Sequence, residues 1–142
     1  MTASDPLKSG QDAPAYSIAS EGLAGKRVVL CTHKGIENLH LRRSLVKGRL
    51  LVVGEAKTAQ QLIEIVSNER PDIVVVDASI NTMPLEDLVR RLLAEHPATL
   101  ILLTDRPDFG ERASQLGAAA CLERPYSAQE LLSSLQQTVT EA

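Results

Sequence analysis

From Lys26 onward the chain alternates short, wholly apolar runs with longer segments in which apolar residues recur every three or four positions. The runs are RVVLC, LLVV, IVVVD, LILLT and AAACL. A run that is apolar throughout, rather than at every second residue, suits a parallel strand covered on both faces. The segments between them supply the covers. Ala59, Leu62, Ile63 and Val66 form one helical stripe, Leu85, Leu88, Val89 and Leu92 a second, and Ala128, Leu131, Leu132, Leu135 and Val139 a third. Thr58 with Gln61 and Ser127 with Glu130 have the spacing of a capping box, and Pro84 suits a first helical turn. Segment 36–47 is less regular. Ile36, Leu39 and Val46 share a face whereas Leu41 and Leu45 fall elsewhere, and the segment is read as helix. Strict alternation predicts an α/β domain over residues 26–142, a (βα)5 doubly wound parallel sheet with right-handed crossovers. Residues 1–25, rich in Ser, Ala, Gly and Pro and without either apolar period, are read as a flexible N-terminal arm.

A sheet of this kind gathers its functional groups outside the carboxyl ends of the strands, where strand order reverses. The strand ends deliver Thr32 and His33, then Asp77, then Thr104 and Asp105, then Glu123 and Arg124. Here the chain resembles a known family. PDIVVVDASI resembles the third strand of receiver domains of bacterial two-component response regulators, which ends in the phospho-accepting aspartate. LILLTD resembles their fourth strand, ending in Ser or Thr, and LGAAACLERPYSAQELL their fifth strand, basic-residue-Pro turn and final helix. The VVGEA run is similar to receivers that precede a helix-turn-helix output.

The likeness implies a flavodoxin-like sheet of order 2-1-3-4-5. It makes Asp77 the phosphoacceptor-equivalent, Thr104 the hydroxyl that bonds the phosphoryl group, and Arg124 the basic residue, usually Lys, before a typically cis proline. Cys121 falls at the aromatic switch position. Thr32 and His33 stand where the family places the two acidic residues that hold magnesium, so the chain is similar to an atypical, pseudo-receiver variant. The Pro and Gly of the loop after the phosphoacceptor are also replaced, in DASINTMPLEDL.

Aspartyl phosphate formation sets a dianionic group against a carboxylate, a charge that Mg²⁺ normally neutralises. Mg²⁺ demands near-octahedral oxygen ligands, usually including one or two carboxylates. With Thr32 and His33 beside it, Asp77 is almost alone as a hard anionic ligand. Magnesium binding is therefore expected to be weak or absent, with no other metal or cofactor, and little phosphorylation by small donors. Arg124 and a protonated His33 are the nearest expected cations, which predicts a standing Asp77–Arg124 pair. Plainer readings stand beside these: Asp77 capping its own loop, Thr104 satisfying a backbone group, Arg124 and Asp105 solvated, and His33 a lone loop histidine with no second ligand at metal spacing.

Composition narrows the function classes. A formal net charge of -3 with one Phe, two Tyr and no Trp argues against direct nucleic-acid binding. The basic cluster Arg42, Arg43, Lys47 and Arg49 is read as a solvated helix face, or more sharply as a match for an acidic groove. Cys31 and Cys121 lie in apolar runs, which suits buried thiols in a reducing compartment, and a cytoplasmic location is expected. No stretch is long and apolar enough to span a bilayer, and no secretory signal opens the chain. Cys31 closes a strand before a helix, as the nucleophile of low-molecular-weight phosphatases does in C-x5-R, but Glu37 stands where the arginine would fall. No nucleotide-binding or common hydrolase motif is present.

The resulting expectation is a non-enzymatic signalling module acting by protein–protein contact, through the face the family most often uses: fourth helix, fifth strand and fifth helix. Its partner would be a histidine kinase or a separate output protein, since the chain ends after the fifth helix, and a homodimer is also admitted. The rival readings are a conventional phosphorelay receiver phosphorylated on Asp77 by a histidine kinase, and a small phosphate-handling enzyme built on Cys31.

Overall fold

The computed structural model describes residues 22–141. The expected arm over 1–21 lies outside the described residues. Of its last four residues, which form a turn, Leu23 is completely buried.

Five strands and five helices alternate: β1 (Arg27–Cys31), α1 (Gly35–Lys47), β2 (Leu51–Ala56), α2 (Ala59–Glu69), β3 (Ile73–Asp77), α3 (Leu85–Glu95), β4 (Thr99–Thr104), α4 (Gly110–Leu116), β5 (Ala120–Glu123) and α5 (Ala128–Glu141). All pairings are parallel, in the order β2-β1-β3-β4-β5. The (βα)5 parallel sheet is the one the apolar pattern predicts, and its order is the flavodoxin-like one that the family resemblance implies. Because β1 lies between β2 and β3, strand order reverses there, and the carboxyl ends of β1 and β3 flank the crevice.

The unbroken apolar runs are explained by two separate cores. Successive side chains of a strand point to opposite faces, so Val28 and Leu30 pack with Leu41, Leu45, Leu131 and Leu135 of α1 and α5. Val29 and Cys31 face the other way, against Leu62, Val66, Leu88, Leu92 and Ala113 of α2, α3 and α4. Every residue of β3 is buried. The register of β1 against β2 shifts between Val28 and Val29, bringing Val29 opposite Gly54. A Cβ at Gly54 would lie 2.6 Å from Ile65 Cγ2, so the bare backbone lets α2 close onto the sheet.

The predicted caps form. Thr58 Oγ1 accepts from Gln61 N at 3.1 Å, and Ser127 and Glu130 make the reciprocal pair at 3.0 and 2.8 Å. Pro84 sits one residue before the first turn of α3. Segment 36–47 is helical as read, and of its two apolar groups Leu41 and Leu45 are buried while Ile36, Leu39 and Val46 are exposed. The α5 stripe needs correction. In α5, Leu131, Leu132 and Leu135 are buried but Ala128 is exposed, and the side chain of Val139 lies outside the described residues.

Candidate functional site

The crevice floor is Asp77, the last residue of β3, whose side chain is completely buried. Its two oxygens have different partners. Oδ1 accepts from Ser79 N at 2.9 Å and from Ser79 Oγ at 2.7 Å, an Asx turn that shapes the loop after β3. Oδ2 lies 3.0 Å from Arg124 Nη2 and 3.5 Å from His33 Nδ1. Burial pushes the Asp77 carboxyl up, but the Ser79 hydrogen bonds and the charges of Arg124 and His33 outweigh it and hold the group below its ordinary value.

Arg124 follows β5, and its peptide bond to Pro125 is cis, as the family likeness implies. Its backbone N–H donates to Thr104 O at 2.8 Å, anchoring the base of the side chain beside β4. The guanidinium then meets three carboxylates. Nε and Nη2 donate to Glu37 Oε2 and Oε1 at 2.7 Å each, Nη2 also faces Asp77, and Nη1 reaches Asp105 Oδ1 at 3.4 Å. Glu37, in the first turn of α1, additionally accepts from Tyr126 Oη at 2.8 Å. The Glu37 hydrogen bond and the surrounding carboxylates raise the pKa of Arg124 despite its burial. Burial and Glu37 likewise push the Tyr126 phenol up. Lys34 Nζ lies 3.7 Å from Asp105 Oδ2 on the outer side.

The remaining candidates are placed as follows. Thr104 is buried, and its hydroxyl accepts from Arg106 N at 3.0 Å, the local backbone role weighed for it. Thr32 is buried with its hydroxyl unpaired among the described residues, while His33 is half exposed at the rim. Cys121, partly buried on β5, has its thiol pushed up by burial and then by Glu123. Cys31 is buried, and burial with the Asp77 charge behind it pushes its thiol up to about 12. A thiol so placed stays protonated and closed to solvent, the opposite of an activated nucleophile. Among the described residues no group of three or more His, Cys, Asp or Glu is arranged to hold a metal ion. No described helix is long and apolar enough to cross a membrane.

Sequence reasoning did not bring Glu37, Tyr126 and Ser79 to the site. In the sequence Glu37 stands out only as the residue at the place of a phosphatase arginine. Its signal was topological: the first turn after β1 starts beside the carboxyl end of that strand, close to whatever β5 delivers.

A model of the response regulator receiver domain matches residues 33–136, and the chain belongs to that family. The transcriptional regulatory protein PdtaR of Mycobacterium tuberculosis (strain ATCC 25618 / H37Rv) is 26% identical over 117 residues, which cover 81% of this chain and 57% of that protein. The chain thus spans little more than half the length of this curated relative. Among solved structures, the signal receiver domain of the response regulator NarL from Mycobacterium tuberculosis superposes with a TM-score of 0.74 at 23% identity, covering 84% of this chain and 99% of that one. The response regulator PhyR from Brucella abortus does so with a TM-score of 0.75 at 16% identity, covering 88% and 52%. At such identities these two show the fold.

Proposed function

We propose that this receiver domain is a signalling module that acts by contact with another protein, and that magnesium-dependent phosphorylation of Asp77 is impaired or absent. The observation that carries this reading is the ion pair between the buried Asp77 and Arg124, 3.0 Å apart. Ser79 hydrogen-bonds one oxygen of Asp77, and the other lies within ion-pair distance of Arg124 and His33 without accepting a hydrogen bond among the described residues. The positions beside it offer a neutral hydroxyl at Thr32 and an imidazole at His33. This set does not fit Mg²⁺, a hard cation that wants several oxygens and a second carboxylate. The guanidinium already supplies the positive charge that a metal would bring, and it does so permanently.

Contact with a protein is supported by large apolar side chains left exposed on α1 and β2: Ile36, Leu39 and Val46 of α1 and Leu51 of β2. The partner is a histidine kinase or a separate output protein. A conventional phosphorelay receiver remains the second reading, favoured by the order Asp77, Thr104 and Arg124 at the ends of three adjacent strands. Incubation with acetyl phosphate and Mg²⁺ followed by intact-mass spectrometry separates the two. The expected spectrum is that of unmodified chain; stoichiometric gain of one phosphoryl group, lost in Asp77→Asn, establishes the second reading instead.

A further inference from the structure

Arg124 has to reach across β4 to touch Asp77, because β5 and β3 are not neighbours in the sheet. Two strand spacings, about 10 Å, separate the ends of those strands, and an arginine side chain crossing that gap gives up most of its rotamer freedom. Asp77 offers it one oxygen, whose other partner is His33. Asp105, on the solvent side, offers another at 3.4 Å. Left to these two, the guanidinium has a choice between a buried contact and a hydrated one. Glu37 removes the choice. It approaches from the opposite wall of the crevice and takes Nε and Nη2 together, each at 2.7 Å. A carboxylate bound in this forked way fixes the plane of the guanidinium. Nη2 donates to Glu37 Oε1 and lies 3.0 Å from Asp77 Oδ2, an ion-pair contact in which Oδ2 accepts no hydrogen bond among the described residues. Tyr126 Oη in turn fixes Glu37 Oε2. Glu37 and Arg124 are both largely buried, with 14% and 13% of their side chains exposed, so water competes poorly for either.

We propose that Glu37 is the positioning residue of this site: with Tyr126 as its brace, it clasps Arg124 and holds that guanidinium against Asp77. The inference rests on the reading of Asp77 as a carboxylate kept by Arg124, and extends it by assigning what keeps Arg124 there. Two other roles for Glu37 are plainer. It is an acid in the first turn of α1, where it favours the helix dipole, and it simply neutralises a buried arginine. In either role, loss of the Glu37 charge would leave the Asp77 pKa unchanged or lower it by relieving carboxylate repulsion; loss of the clasp raises it.

The test is side-chain NMR on the full chain, following solvent exchange of the Arg124 Nε–H and the titration of the Asp77 carboxyl. In Glu37→Gln, loss of a charge-assisted fork is expected to speed Nε–H exchange by about tenfold or more, and to move the Asp77 pKa upward. Tyr126→Phe removes only the brace and is expected to change both signals in the same direction by less, with exchange about threefold faster. Glu111→Gln, which removes the first-turn acid of α4, is expected to change neither. The proposal is overturned if Glu37→Gln, folded by its amide spectrum, keeps wild-type Arg124 exchange and Asp77 titration. Should that variant not fold, unchanged signals in Tyr126→Phe overturn it equally. Acetyl phosphate treatment of the same wild-type sample keeps the two claims apart. Phosphorylation with responsive clasp signals defeats the proposed function and leaves the clasp standing, whereas no phosphorylation with unresponsive signals does the reverse.

Discussion

The two ends of the sheet carry similar ion pairs in dissimilar surroundings. At the amino ends Arg27 Nη2 meets Glu69 Oε1 at 2.7 Å, the Arg27 amide donates to Asp72 Oδ2 at 2.8 Å, and His96 Nε2 lies 2.7 Å from Pro71 O. These contacts stitch the starts of β1 and β3 to the turns around them, and the Arg27–Glu69 pair is 37% and 42% exposed. At the carboxyl ends the Arg124–Glu37 distances are the same 2.7 Å, yet the pair is closed in and the third member, Asp77, is wholly buried. Coulomb attraction grows as the local dielectric falls, while an exposed pair is screened by water and salt. Equal geometry therefore gives a surface stitch at one end and, at the other, a charge network that sets the state of its members.

The sharpest contrast concerns Cys31, which closes β1 at the carboxyl end. With its thiol pushed up to about 12 and closed to solvent, very little thiolate forms at neutral pH, and alkylation of the folded chain is expected to be far slower than that of a free cysteine. Iodoacetamide labelling of the native chain, read by mass spectrometry, is expected to leave Cys31 intact until the protein is unfolded. Fast labelling would return the nucleophile reading to contention.

Next in size is Arg124→Ala. It strands two buried carboxylates at once and is expected to cost about 3 kcal/mol of stability in urea unfolding. Arg27→Ala at the opposite end, where the pair is half exposed, should cost under about 1 kcal/mol. Comparable losses at the two ends would erase the contrast.

Acid titration gives a smaller effect with a defined sign. The folded Asp77 carboxyl lies below its ordinary value. The stability it contributes is thus fully present above about pH 4, the unfolded pKa, and is lost as pH falls through the folded pKa. The difference in unfolding free energy between wild type and Asp77→Asn is expected to stay level from pH 7 to about pH 4 and to shrink as pH falls further through the folded pKa toward about pH 2, since the other carboxylates titrate alike in both. A difference that stays constant over that range would place the Asp77 pKa at its ordinary value.

What the sequence made legible follows from the same physics. β3 and β4 announce themselves because helices cover both faces of the sheet, so IVVVD and TLILLT have no solvent side to mark with polar residues. The stripes of α2 and α3 are legible because each helix packs one face on the sheet interior. For α1 the apolar pattern names no buried face. This helix buries only Leu41 and Leu45, while Ile36 and Val46 stay 74% and 60% exposed, so its apolar residues divide between core and surface and no single stripe dominates. Asp77 and Arg124 were found because strand ends converge by topology. Glu37 and Tyr126 were not, because a bond between residues 89 positions apart leaves no local pattern. The Asx turn through Ser79 is local, and DAS at a strand end was its only signal.

The central claim is that Asp77 has its cation built in. Titration of the isotopically labelled chain with Mg²⁺ to about 20 mM, followed at the amides of Asp77, Ser79 and Thr104, tests it directly. The account predicts small, linear, unsaturated drifts. Saturable shifts at these residues with a sub-millimolar Kd, accompanied by release of the Arg124 Nε–H to fast exchange, would contradict it.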